Sequence, residues 1–138
     1  MKLIAALLLQ NPQGQFLFYL RDNKASIPYP HHWDMFGGHV EEGETVEEAL
    51  VRELKEELDY ELKEYSFFRV YRHEDEQTGQ TEKYIFYTQI DIPENELVLY
   101  EGERLQFFEP EELKNLKFSH IIGQIVEDYQ RDILQKKG

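Results

Sequence analysis

Cysteine is absent from this chain of 138 residues, which excludes a disulfide framework, a thiolate metal site and a cysteine nucleophile. Basic residues are scarce, because 15 Lys and Arg stand against 28 Asp and Glu and give a formal net charge of -13. Since binding to a nucleic-acid backbone needs clustered cations, this excess of acids argues against a nucleic-acid partner.

Long hydrophobic runs are also lacking. The apolar run at residues 3–9 stops at Gln10 and Pro12, so it is too short to span a bilayer, and it lacks a small-residue cleavage site. We therefore expect a buried first strand and a cytoplasmic protein without a membrane partner.

The hydrophobic content of 41% and aromatic content of 14% are typical of a globular protein. We expect a single domain over residues 1–138, large enough for one core. Several strand-like segments and two main helices, joined by long crossings, predict an α/β sandwich. The sequence leaves open whether the protein is a monomer or a homodimer.

The pattern of apolar residues and turn signals predicts the order of these segments. Strands at residues 3–9 and 15–21 should form a hairpin, as should strands at 65–73 and 84–92, with a polar loop at 74–80. A strand at 105–108 and a short helix at 110–113 follow. Ser119 is predicted to cap a last helix whose packed stripe contains Ile122, Ile125, Val126, Tyr129 and Ile133.

The most informative stretch is residues 37–60, GGHVEEGETVEEALVRELKEELDY. Thr45 and Glu48 have the spacing of a capping box, which marks the start of a helix. Val46, Ala49, Leu50, Leu54 and Leu58 recur at helical spacing and define its buried face.

Three carboxylates fall on or beside that buried face. Glu53, Glu56 and Glu57 stand at i, i+3 and i+4, so they meet on one side of the helix, where like charges repel and lose hydration. A divalent cation such as Mg²⁺ or Mn²⁺ would remove that conflict, because both prefer oxygen ligands. The alternative is a charged helix on the protein surface.

The same stretch resembles the signature of the Nudix (MutT-like) hydrolases, G-x5-E-x7-R-E-U-x-E-E-x-G-U, where U is apolar. Gly38, Glu44 and residues 52–57 (RELKEE) match it at every charged position. The sequence WDMFGG at 33–38 is also similar to the residues that often lead into the signature in this family. One position departs, since Asp59 replaces the second glycine. Asp tolerates a left-handed backbone at a cost of about 1 kcal/mol, so we expect an effect on stability rather than on chemistry.

The resemblance implies a mixed sheet between helices and a Mg²⁺-dependent enzyme, with Mn²⁺ as a substitute. It implies that Glu53, Glu56 and Glu57, with the carbonyl of Gly38, are the metal ligands, and that Glu53 orients or deprotonates the attacking water. It also implies that Arg52 pairs with Glu44 and holds the acids in place.

Other site residues are weaker candidates. Many family members recruit an acid from outside the signature, and Glu103 is our preferred candidate, ahead of Glu101 and Glu82. Arg21, His39 and Trp33 are candidate substrate contacts because of their positions, although core packing is the alternative for Trp33.

The resemblance implies cleavage of a nucleoside diphosphate linked to another group. We expect a nucleoside triphosphate, including oxidised forms, to give the monophosphate and pyrophosphate. The alternatives are an ADP-ribose or nucleotide-sugar pyrophosphatase, and a module that senses a nucleotide without cleaving it.

Overall fold

The computed structural model describes residues 1–135, apart from the side chain of Asp75. The strands are β1 (Lys2–Gln10), β2 (Phe16–Leu20), β3 (Trp33–Asp34), β4 (Phe36–His39), β5 (Ser66–Asp75), β6 (Gly79–Gln89) and β7 (Arg104–Phe108). The helices are α1 (Val46–Leu58) and α2 (Ile122–Tyr129), the latter continued by one π-helical turn at Gln130–Leu134. Short 3₁₀ helices lie at Glu94–Glu96 and Pro110–Asn115.

All seven strands form one mixed sheet around β1. Strand β1 pairs in parallel with β6 along its whole length, and antiparallel with β4 at one end and β2 at the other. Strands β3 and β7 pair with β2, while β5 pairs with β6. As a result, β4 lies beside the first half of β1, next to helix α1.

Each face of the sheet is covered by one helix. Helix α1 packs on one face, with a core of Ala5, Leu7, Leu9, Leu17, Tyr19, Phe36, Ala49, Leu50, Leu54, Leu58, Leu62, Phe86 and Ile90. Helix α2 packs on the other, with a core that includes Ala6, Leu8, Phe16, Phe18, Trp33, Ile85, Ile122, Ile125, Val126 and Tyr129. The alternation of Ala5 with Ala6 and of Leu7 with Leu8 supplies both layers from one strand. The predicted α/β sandwich is confirmed.

The two predicted hairpins are present, but the second is longer than predicted. Strand β5 continues to Asp75 and β6 begins at Gly79, so the loop predicted at 74–80 is wrong except at its tip. The outer ends of these strands are polar because Glu74 and Gln80 face each other in an exposed part of the hairpin. Because these residues are polar, the sequence pattern predicted a loop where the two backbones pair as β-strands.

The prediction that Ser119 caps the last helix is also wrong. Helix α2 begins at Ile122 after Ile121, without a side-chain cap. His120 has a left-handed backbone, with φ of 47°, which breaks any continuous helical turn from Ser119. The carbonyl of Ser119, rather than its hydroxyl, accepts a hydrogen bond of 3.1 Å from the amide of Ile122.

Within residues 1–135, neither helix has the length and apolar character needed to cross a membrane.

Candidate active site

Helix α1 is fixed at its first turn by the predicted capping box. The amide of Glu48 donates to the Thr45 hydroxyl at 3.0 Å, and the amide of Thr45 donates to the Glu48 carboxylate at 2.8 Å. These two bonds satisfy amides that the helix itself leaves unpaired. The face of α1 that packs on the sheet is set by its buried apolar residues, Ala49, Leu50, Leu54 and Leu58, and Glu57 lies among them.

The end of α1 is the left-handed residue predicted for Asp59. Its φ and ψ are 54° and 35°, and its amide donates to the carbonyl of Lys55 at 3.0 Å. Asp59 lies on the exposed side, where Lys55 contacts its carboxylate at 2.6 Å. Its role is therefore to end the helix.

Two glycines of β4 bring the sheet backbone against the helix. A Cβ atom on Gly38 would lie 2.5 Å from the carboxyl carbon of Glu53, so a side chain here would displace this carboxylate from its present position. Gly37 has a φ of 140°, and a Cβ there would lie 2.1 Å from the carbonyl oxygen of Ala5. The glycine pair therefore allows a carboxylate to lie directly on the strand.

Glu57 is the most buried acid of the site, with 3% of its surface exposed. One carboxylate oxygen accepts a hydrogen bond of 2.8 Å from the amide of Gly37, and the other has no donor. Burial, with the nearby Glu101 carboxylate next in effect, raises the pKa of Glu57 to about 10. Such a group is protonated near neutral pH, or is charged only beside a cation.

Arg52 joins the acids of the helix to the loop before it. Its guanidinium donates to both oxygens of Glu44, at 2.7 and 2.9 Å, and to Glu53 at 2.9 Å and Glu56 at 3.2 Å. It also donates to the carbonyl of His39 at 3.0 Å. The hydrogen bonds from Arg52 lower the pKa of Glu44 to about 2. The pairing of Arg52 with Glu44 is therefore present, and it leaves Glu44 charged.

Glu53 and Glu56 differ in exposure. Burial raises the pKa of Glu53, while its bond to Arg52 opposes that shift. Glu56 is 59% exposed and faces solvent at the rim of the site. Solvent exposure of the three acids thus increases from buried Glu57, through Glu53, to exposed Glu56.

The acid that approaches the site from the loop before β7 is Glu101, rather than our preferred Glu103. Glu101 raises the pKa values of both Glu53 and Glu57, and it lines the adjacent cleft. Glu103 instead lies 3.4 Å from the imidazole of His31. Gly102 turns the chain between them with a φ of 84°, and the amide of Tyr100 bonds the carbonyl of Glu57 at 2.9 Å.

Glu82 is engaged elsewhere. Its carboxylate accepts a hydrogen bond of 2.7 Å from Arg72 and another from the hydroxyl of Tyr84. These two contacts lower its pKa. Glu82 is therefore part of an ion pair between neighbouring strands.

The chemistry of these side chains fits a hard divalent cation. One oxygen of Glu57 is buried without a donor, and the carboxylate of Glu53 lies against Gly38. Carboxylates are the ligands that Mg²⁺ prefers. Among residues 1–135, however, no three His, Asp or Glu side chains converge closely enough to hold an ion as they stand. The guanidinium of Arg52 is hydrogen-bonded to Glu53 and Glu56, so these carboxylates would have to turn away from it to bind a metal.

A cleft of about 250 Å³ lies largely on the α2 face of the sheet and shares Gly37 and Gly38 with the acid site, although Glu53, Glu56 and Glu57 do not line it. The carboxylates among its described lining residues are Asp34 and Glu101. Its other walls contain Lys2, Arg21, His39, Lys83 and His120. Sequence reasoning missed Lys83 and His120, because no motif marks a lone lysine in a strand or a histidine before a helix. In a protein of net charge -13, the cations Lys2, Arg21 and Lys83 outnumber the carboxylates of this cleft, which favours an anion there.

The three predicted substrate contacts have different positions. His39 is exposed and lines the cleft. Arg21 also lines it, but its guanidinium is bound to Asp34 at 3.1 Å and to the carbonyl of Pro28 at 3.0 Å. Trp33 does not line the cleft, because its ring is packed in the core against Phe108. The structure thus places Trp33 in the core, which was the alternative to a substrate contact.

The acids of α1 pack against the glycine pair of β4, and the same two glycines line the adjacent cleft, so this region is the candidate active site. A sequence model of the NUDIX domain matches residues 2–129. The chain belongs to the NUDIX family, whose named relatives below are hydrolases.

Two curated relatives and one solved structure are informative. An ADP-ribose pyrophosphatase of Methanocaldococcus jannaschii is 34% identical over 119 residues, covering 80% of this chain and 68% of that protein. The nucleoside triphosphatase NudI of Salmonella arizonae is 44% identical over 55 residues, but the match covers only 40% of this chain and 38% of NudI. A MutT protein from Methanosarcina mazei Go1 superposes with a TM-score of 0.81 over 95% of this chain and 94% of that one, at 19% identity. This last likeness shows the fold alone.

Proposed function

We propose that this protein is a Mg²⁺-dependent pyrophosphohydrolase that converts a nucleoside triphosphate, including oxidised forms, to the monophosphate and pyrophosphate. The observation that carries the proposal is Glu57, which is buried with one oxygen bonded to the amide of Gly37 and the other lacking a donor, on the same helix as Glu53, whose carboxylate lies against Gly38. A buried acid in this position is costly without a cation. Residues 1–138 would act as one catalytic domain.

The residues that would hold Mg²⁺ are Glu53, Glu56, Glu57 and the Gly38 carbonyl, with Glu101 as the additional acid. A bound divalent ion would neutralise the phosphate oxygens and stabilise the leaving group. Glu53 orients the water and accepts its proton as the water oxygen bonds to phosphorus. The anhydride P–O bond then breaks and pyrophosphate leaves.

The remaining residues position these groups. Arg52 holds Glu44 and the loop that carries it, while the Gly37 amide fixes one oxygen of Glu57. His39 and Arg21 lie on the cleft wall, where they can meet the negative charge of the substrate. Because Arg21 is already paired with Asp34, it would attract the substrate electrostatically without a direct hydrogen bond.

Cleavage of ADP-ribose is a second candidate, favoured by the name of the 34% identical relative. Incubation with nucleoside triphosphates, oxidised triphosphates, ADP-ribose and nucleotide sugars, in Mg²⁺ and in EDTA, separates the two. Chromatography should show metal-dependent release of a nucleoside monophosphate and pyrophosphate. Turnover of ADP-ribose alone would replace the first candidate by the second. Tight nucleotide binding without turnover in Mg²⁺ or Mn²⁺ would instead indicate a sensing module.

A further inference from the structure

Residues 100–103, here called the strap, join the end of α1 to the end of β2 just before β7 begins. The amide of Tyr100 donates a hydrogen bond of 2.9 Å to the carbonyl of Glu57, in the last turn of α1. The amide of Glu103 donates another of 2.9 Å to the carbonyl of Leu20, the last residue of β2. Because these two main-chain bonds are only three residues apart, the backbone between them has little freedom to move.

The first of these bonds connects the strap to the residue that supplies the most buried acid. The carbonyl of Glu57 is one of the last four in α1, which a helix leaves without an internal partner, and the Tyr100 amide satisfies it. Burial is the main cause of the raised pKa of Glu57, and the nearby Glu101 carboxylate is the next cause. The strap is therefore bound to the main chain of Glu57 and places a second acid near its side chain.

The position of Glu101 depends on the strap, because its own side chain is exposed. An exposed glutamate is not confined to one rotamer by packing, so the backbone decides which space its carboxylate can reach. Glu101 also lines the cleft, together with Gly37 and Gly38 of the acid site. The strap thus holds Glu101 where the acid site and the cleft adjoin.

Gly102 allows the strap to lie close to β2. Its φ is 84°, in the left-handed region that residues with a Cβ rarely adopt. A Cβ atom on Gly102 would lie 2.6 Å from the carbonyl oxygen of Leu20 and 2.7 Å from Cδ2 of Tyr19. Neither neighbour can move easily, because the carbonyl belongs to β2 and the Tyr19 ring is buried against Phe36, with ring centroids 5.1 Å apart. A side chain here would therefore push the strap away from β2 and displace Glu101.

We infer that Gly102 is a positioning residue, whose close approach to β2 keeps the carboxylate of Glu101 beside Glu57, where both acids can bind one divalent cation. This inference rests on the proposed function, in which Glu101 is the additional acid. It goes beyond the need for glycine in a turn, because it predicts that a side chain at position 102 weakens metal binding by displacing Glu101. Residues that orient metal ligands typically contribute 10–100-fold to metal affinity.

Calorimetric titration of Mg²⁺ tests the inference, because it measures metal binding without turnover. Gly102→Ala and Glu101→Gln should each weaken Mg²⁺ binding roughly tenfold. The double variant should bind Mg²⁺ no more weakly than the worse single variant, because both changes remove the same contact. Losses that add in the double variant would overturn the inference, as would wild-type affinity in either folded single variant.

Gly14→Ala is the matched control for backbone strain. Gly14 has the same φ of 84°, in the turn between β1 and β2, but among the described residues no atom beyond its chain neighbours would lie within 4 Å of a Cβ there. Alanine at this position meets the same unfavourable backbone without a collision, so the melting temperature should fall while Mg²⁺ affinity stays that of wild type. An equal loss of affinity in Gly14→Ala would assign the effect to stability and overturn the inference.

Glu101→Asp tests the placement with Gly102 unchanged, and it decides the question if Gly102→Ala does not fold. Aspartate keeps the negative charge, but its side chain is shorter by one methylene. If the strap holds the backbone in place, the shorter acid cannot reach the same point, and Mg²⁺ affinity should fall roughly tenfold. Wild-type affinity in Glu101→Asp would show that the backbone follows the side chain, and would overturn the inference.

Failure of the proposed function would give a different result. Mg²⁺ binding that depends on Gly102 as described, without hydrolysis of any nucleotide, would refute the hydrolase and leave the inference intact. Mg²⁺-dependent hydrolysis with equal Mg²⁺ affinities in all variants would refute the inference alone. Absence of Mg²⁺ binding by the wild-type protein would refute both.

Discussion

Arg52 holds Glu44 through two hydrogen bonds, of 2.7 Å from Nε and 2.9 Å from Nη2. The same guanidinium donates to Glu53 and Glu56, so one cation connects the loop before α1 to the acids on the helix. Arginine suits this position because its planar fork binds a carboxylate at two points, which a lysine ammonium cannot reproduce.

Replacement of either partner should weaken the site. Arg52→Lys and Glu44→Gln are each expected to lower Mg²⁺ affinity or activity by roughly 10–100-fold, as is typical for residues that orient metal ligands. Because both disrupt one contact, the double variant should cost little more than the worse single variant. Lys55→Gln removes a cation from the exposed side of the same helix and is the control. Additive losses in the double variant would refute the coupling.

The stability of the metal-free protein should depend on Glu57 and pH. Its pKa is raised from 4.5 to about 10 on folding, so the stability that its protonation contributes is fully present below about pH 4.5 and is lost as the pH rises towards 10. Between about pH 6 and 9, wild-type protein in EDTA should lose stability relative to Glu57→Gln, by at most about 1.4 kcal/mol per pH unit. Urea denaturation measures this difference. Parallel pH profiles for the two proteins would show that Glu57 does not titrate in this way.

Glu101 and Glu103 should behave differently. Glu101→Gln removes a negative charge near Glu57, so it should lower the pKa of Glu57 and, if Glu101 supplies an extra ligand, weaken Mg²⁺ binding roughly tenfold. Glu103→Gln is the matched control, because Glu103 contacts His31 instead. Calorimetric titration of Mg²⁺ into the three proteins measures the effect. A larger loss in Glu103→Gln would reverse our assignment.

Asp59→Gly should stabilise the protein without changing its activity. Glycine adopts the left-handed backbone of this position without the cost of about 1 kcal/mol that other residues carry, and such a gain raises the melting temperature by about 3 °C. The exposed pair with Lys55 that is lost contributes little. Asp59→Ala loses the same pair but keeps a Cβ, so it should not be stabilised. Equal melting temperatures for the glycine and alanine variants would refute the backbone argument.

The parts of the structure that depend on local chemistry could be predicted from the sequence. The capping box of Thr45 and Glu48 and the left-handed Asp59 each follow from a few adjacent residues. The positions of Glu101 and Glu103 could not be predicted, because Gly102 reverses the chain between them and packs against Tyr19. The pairing of β6 with β1, two strands that are far apart in sequence, brings Lys83 to the cleft.

The same limit explains the positions of two further residues, Trp33 and Ser119. Trp33 stands beside the signature in sequence, yet its ring packs on the α2 face of the sheet, away from the acids on α1. Serine is a residue type that often caps helices, but the backbone of His120 is left-handed and α2 begins only at Ile122. In both cases the tertiary contacts, rather than the local pattern, decide the outcome.

The most direct test of the catalytic assignment is hydrolysis of a nucleoside triphosphate in Mg²⁺ by wild-type protein, Glu53→Gln, Glu57→Gln and the exposed control Glu61→Gln, with the nucleoside monophosphate and pyrophosphate quantified by chromatography. We predict losses of roughly 10²–10⁴-fold in kcat for the first two variants and wild-type activity for the control, with no turnover in EDTA. Full Mg²⁺-dependent turnover by folded Glu53→Gln or Glu57→Gln would contradict the assigned site.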